Sequence, residues 1–122
     1  MANRKKEKME KSTINYNGKE YDLVFNLNVM EEIQDEYGSV EAWGELVEAS
    51  EEPKAKDIKY GFVAMLNEGI DIYNENHPDE EPRPFFNAKQ VGRIISEIGL
   101  QEAAKTLNKT VIDSTKSDEK NL

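Results

Sequence analysis

Apolar side chains recur at helical spacing through DIKYGFVAMLNEGIDIY, where Ile58, Phe62, Met65, Leu66, Gly69, Ile70 and Tyr73 fall on one stripe. No other segment is as long or as apolar, so a helix near residues 57–75 is the expected floor for shorter elements. Burying Phe62, Leu66 and Ile70 contributes roughly 1.5–3 kcal/mol each before ordering entropy is subtracted. Gly69 interrupts this stripe at a cost of about 1 kcal/mol relative to Ala, which points to a second backbone approaching closely at that turn.

The pattern upstream has a different period. STINY and KEYDLVF flank Asn17-Gly18, the residue pair that best tolerates the positive φ of a type I′ hairpin turn. Pairing across the turn sets Tyr16 against Lys19 and Ile14 against Tyr21, which leaves Ile14, Tyr16, Tyr21, Leu23 and Phe25 on one face. A lone hairpin is marginal in water, so that face is expected to lie against helices.

Short helices follow. Asn28 with Glu31 reads as a capping box ahead of Val29, Met30, Ile33 and Tyr37, and Gly38 ends that helix. Ser39 caps the next one, which carries Val40, Trp43, Leu46 and Val47. His77-Pro78 stops the central helix, because the residue before proline is driven from the α region, and HPDEEPRP is a stiff, acidic loop. Asn87 and Gln90 make a second capping box. Phe86 is then placed to staple onto Val91 in a helix carrying Val91, Ile94, Ile95 and Ile98, closed by Gly99. A last helix from about Leu100 carries Ala103, Ala104 and Leu107.

The expected fold is therefore mainly α with a small N-terminal β-hairpin, an α+β domain of about five helices around the central one. Residues 12–112 form this single domain. The charged segment 1–11 and the segment 113–122, without periodic apolar positions, are expected to be disordered tails.

Composition narrows the function. The absence of cysteine removes disulfides, thiolate zinc sites, iron–sulfur clusters and cysteine nucleophiles. No apolar run approaches the ~20 residues of a membrane span, and no apolar region follows the charged start, so a cytoplasmic protein is expected. The net charge of −9 opposes nucleic acid and anionic membranes and favours a basic or neutral partner. Arg4, Lys5, Lys6, Lys8 and Lys11 are diluted by Glu7 and Glu10 and read as a solvated arm.

Candidate chemistry is sparse. His77, the only histidine, lies in the acidic loop, with no pattern to orient it. Glu31, Glu32, Asp35 and Glu36 have the spacing to meet a cation, but a solvated helix face looks the same. Asp79-Glu80-Glu81 lacks the ligand alternation of an EF-hand, and no glycine pattern makes a phosphate cradle. No catalytic residue, cofactor or metal is expected. The residues suit an interaction protein.

Taken in order, NGKEYDLVFNLNVMEEI, a Gly-Ser junction with a Trp-containing helix, DIKYGFVAMLNEGIDIY, and NAKQVGRIISEIGL resemble the tail assembly chaperones of long-tailed bacteriophages and prophages of Gram-positive bacteria. The likeness covers roughly Ile14 to Leu107. It implies a non-catalytic helical protein of the bacterial host cytoplasm that binds the tape measure protein, keeps it soluble, helps tail tube protein assemble around it, and is absent from the mature virion. The alternative is another phage structural or adaptor protein, such as a connector or tail completion factor. For the client, a helix-in-groove mode directs attention to aromatics near loops: Trp43, Tyr73, Phe85 and Phe86. The edge of the hairpin also offers a route to a homo-oligomer.

Overall fold

The chain folds as β1 (Thr13–Tyr16), β2 (Lys19–Asp22), α1 (Leu27–Tyr37), α2 (Val40–Val47), α3 (Ala55–Asn76), α4 (Ala88–Ile98) and α5 (Leu100–Lys120). This computed structural model describes residues 12–48 and 53–120, so the expected tail at 1–11 lies outside the described residues. The described chain is mainly helical with one antiparallel hairpin, the α+β class anticipated from the pattern.

Asn17 and Gly18 sit at φ 53° and 79°, the left-handed pair of a type I′ turn. The register follows from that turn, with Tyr16 opposite Lys19 and Ile14 opposite Tyr21. Ile14, Tyr21 and Leu23 are buried, and Tyr16 and Phe25 pack against the same core.

The chain leaving β2 is laid directly on α3. Val24 N–H donates to the Met65 carbonyl at 3.2 Å. One turn further along, the space a Cβ on Gly69 would need is occupied by the Asp22 carbonyl oxygen. The glycine is therefore the close-approach position its place in the apolar stripe suggested. The rest of that stripe, Ile58, Phe62, Met65, Leu66 and Ile70, is fully buried and forms the floor for the other helices.

Two expected boundaries shift. The N-cap of α1 is Asn26, whose side chain accepts from Val29 N–H, and Asn28 lies inside the helix. Glu68 of α3 explains the choice, because its Oε2 accepts from both Asn26 Nδ2 at 2.9 Å and Asn28 Nδ2 at 3.1 Å. That tie across 40 residues is invisible to a local capping rule. At the other end α5 continues to Lys120, past the Ile112 where the last apolar position suggested a stop. Lys109 and Asp113 form an i, i+4 ion pair at 2.8 Å across that point, and such a pair supports a helix without any burial.

The remaining caps are as read. Ser39 accepts from Ala42 N–H, and Asn87 and Gln90 form the reciprocal capping box. Gly38 and Gly99 close α1 and α4 with N–H bonds to Gln34 and Ile95.

Candidate functional site

The four aromatic candidates do not converge on one groove. Trp43 is only 2% exposed. Its indole N–H donates to the Asp57 carbonyl at 3.0 Å, and its ring rests where a side chain on Gly61 would stand. It is a core anchor with its polar atom satisfied. Gly61 and Tyr73 are about twelve residues apart on α3, roughly 18 Å along the axis at the helical rise, so Trp43 and Tyr73 belong to different ends of the molecule.

Tyr73 is engaged by the loop that follows it. Its ring stacks on His77 with centroids 3.9 Å apart, the Arg83 guanidinium lies 3.8 Å from its centroid, and its hydroxyl donates to Glu80 at 2.8 Å. That bond to Glu80, then desolvation, raises the phenol above its ordinary range. His77 Nδ1 lies 2.8 Å from the Tyr73 carbonyl, so this nitrogen carries the proton. Arg83 reaches on to the Tyr21 ring and the Glu20 carbonyl, tying loop to hairpin.

Phe86 is buried and meets Tyr16 and Tyr21 edge-on at 5.2 and 5.1 Å. These hairpin rings are partners that the staple on Val91 did not foresee. Phe85, its neighbour in sequence, points the other way and is 56% exposed. It borders a depression of about 290 Å3 lined also by Glu32, Ala64, Asn67, Glu68 and Asp71. Of the four, Phe85 alone offers free apolar surface.

Two asparagines that sequence reasoning passed over hold this arrangement. Asn67 donates to the Phe86 carbonyl and accepts from the Phe86 N–H, at 3.0 and 2.9 Å. Asn74 does the same with Arg83, at 3.1 and 2.9 Å. Each side-chain amide thus imitates a neighbouring strand. The spacing matches physically, since seven residues of helix rise about 10.5 Å and three extended residues span about 10 Å. An Asn-x6-Asn pair on a helix ahead of a proline-rich segment is the signal that was available.

A polar cluster lies at the start of α3. Asp57 is 5% exposed and accepts from the Tyr37 hydroxyl at 2.6 Å. Burial, reinforced by that carboxylate, pushes the Tyr37 phenol well above its usual range. Tyr60 sits edge-on to Tyr37 at 5.5 Å and donates to the Glu32 carbonyl. Burial and then Glu32, Glu36 and Asp35 raise it too. The Glu32 carboxyl is itself raised by burial and by Glu68 and Glu31. With the Trp43 bond to the Asp57 carbonyl, these contacts tie α1, α2 and α3 together.

A larger concavity lies elsewhere, between the first turns of α3 and the outer face of α4. It is an open groove of about 830 Å3 with Gly92, Ile95 and Leu100 on its apolar floor and Lys56, Lys59, Lys89 and Arg93 around it. Lys56 and Lys59 come from α3, Lys89 and Arg93 from α4, so the cations stand as two rails. A Cβ on Gly92 would rest 3.5 Å from Lys59 Cδ and Nζ, which shows that the lysine stem lies across the glycine. The absence of a side chain at Gly92 keeps the floor low. Among the described residues no acidic one lines this groove.

Glu31, Glu32, Asp35 and Glu36 are exposed along α1, and among the described residues no group of acids and histidine is placed to hold a metal ion. Likewise, no helix among them is long and apolar enough to cross a membrane. Compared with known proteins, the chain matches no family model, no curated protein and no solved structure.

Proposed function

We propose that this protein is a non-catalytic tail assembly chaperone of a bacteriophage or prophage, which binds the tape measure protein and keeps it soluble in the host cytoplasm while the tail is built. The observation that carries the reading is the open apolar groove between α3 and α4, in a chain whose Tyr37, Asp57, Tyr73 and Glu80 are taken up by bonds within the fold. A long helical client needs apolar surface to cover its own, and a groove flanked by two helices provides the helix-in-groove geometry. The net charge of −9 keeps such a complex soluble. The order of hairpin, Trp-bearing helix, central helix and glycine-closed fourth helix supports the same assignment by resemblance.

The test is co-expression with a candidate tape measure protein, followed by gel filtration. The expected result is a co-eluting complex and a client that stays in the soluble fraction only when this chain is present. Recovery of the chain as a stoichiometric part of purified particles would instead mark a connector or tail completion factor.

A further inference from the structure

We infer that the groove between α3 and α4 selects an acidic-flanked amphipathic helix of the client, although the chain as a whole is strongly acidic. This deepens the chaperone reading and rests on it in taking the occupant to be a helix of a partner polypeptide. Net charge alone argues for a basic or neutral partner, because −9 repels acids at long range. At the groove the local sign is reversed. Lys56, Lys59, Lys89 and Arg93 surround its floor, and among the described residues no acid does. None of the four makes an ion pair or hydrogen bond with a described residue.

Like charges gathered round an apolar floor repel one another at short range. An occupant that neutralises them recovers that repulsion, whereas a basic helix would add to it. The geometry sets the pattern. The rails run along two helices, Lys56 and Lys59 at i, i+3 and Lys89 and Arg93 at i, i+4, so the matching helix carries acids on both flanks of one apolar stripe. Ile95, Leu100 and the Lys59 stem laid over Gly92 receive that stripe.

Two fluorescein-labelled peptides test this against the full chain by anisotropy. Both carry leucines on one helical stripe; glutamates flank it in one and lysines in the other. A third probe is a single-stranded RNA oligonucleotide. The Glu-flanked peptide is expected to bind, with affinity falling as salt screens the rails, and the Lys-flanked peptide to bind at least about tenfold more weakly. The double variant K89E/R93E should reverse that order. Both residues are exposed, so an unchanged melting temperature verifies its fold.

Equal or stronger binding of the Lys-flanked peptide, or no effect of the double reversal, would overturn the inference. So would RNA binding that is sensitive to the reversal while neither peptide binds, or a self-association that K89E/R93E dissolves and the Glu-flanked peptide cannot displace. The two proposals fail separately. If the Glu-flanked peptide binds in this way but the tape measure protein does not co-elute, the groove's selectivity stands and the chaperone reading falls. If the client co-elutes fully with K89E/R93E, the chaperone reading stands and the groove is not its selector.

Discussion

Replacing Gly69 by alanine sets two opposite effects against each other at one atom. In an exposed helix interior, Gly→Ala stabilises by about 1 kcal/mol because the unfolded chain loses freedom and the helix gains a better former. At Gly69 the added methyl enters the position of the Asp22 carbonyl oxygen. That oxygen belongs to backbone held on one side by β2 and on the other by the Val24 N–H bond to Met65. It cannot swing aside as the end of a lysine would, so the chain must lift off α3. Overpacking of this kind costs about 1–3 kcal/mol, and the rigid partner places it at the upper end. With the propensity gain subtracted, G69A should destabilise by about 2 kcal/mol, or on the order of 8 °C in Tm for a domain of this size.

The control is the same substitution at Gly44 in α2, where a Cβ meets nothing within 4 Å. G44A should therefore raise stability by up to about 1 kcal/mol. Urea denaturation followed by circular dichroism at the helical band measures both. A G69A protein as stable as the parent, or one shifted in the same direction as G44A, would refute the close-approach argument.

Other outcomes follow from the bonds around α3. Asn67→Ala removes both partners of the Phe86 backbone and should cost about 2 kcal/mol, with the Phe86 amide losing hydrogen-exchange protection ahead of the α3 core. Because the Tyr37 phenol is raised on folding, its stabilisation is complete below the unfolded value of about 10 and is lost as pH rises above it. The parent should accordingly lose stability steeply in alkali, and Tyr37→Phe should lose less of it over the same interval while starting from a lower value at neutral pH. The Glu32 carboxyl is raised as well, by burial and by Glu68 and Glu31, so at neutral pH its ionised form is unfavourable in the fold. Glu32→Gln should be neutral or stabilising at pH 7, and this gain should vanish as pH falls through the range of an ordinary glutamate. Finally Trp43, the only tryptophan, should fluoresce as a buried indole that acrylamide quenches only on unfolding.

Much of this fold was legible because its signals are local. Asn17-Gly18 sets the hairpin register by itself, Asn87 and Gln90 cap each other, and the stripe from Ile58 to Ile70 needs only helical periodicity. What was not legible depends on partners far along the chain. Asn26 rather than Asn28 caps α1 because Glu68 holds both, and the Asn-Leu-Asn run contains nothing to decide between them. Candidate-site reasoning suffered most. Aromatic residues near loops drew attention to Trp43 and Tyr73, yet Trp43 is buried with its N–H satisfied and the Tyr73 ring is held by His77, Glu80 and Arg83. The groove is built from Lys56, Lys59, Lys89 and Arg93, which in sequence are ordinary charges dispersed through an acidic chain. Only the antiparallel packing of α3 and α4 collects them.

The pairing of Asn67 and Asn74 with Phe86 and Arg83 also separates chain length from architecture. The extended stretch is registered on its helix at two fixed points, and the bridge before it is fastened at Glu80, by the Tyr73 hydroxyl and the His77 carbonyl. The junction between Glu81 and Pro82 is thus the natural port of the molecule: a tag or a short foreign domain inserted there would be carried outside the scaffold while both asparagine clamps and the Glu80 bonds stay shut.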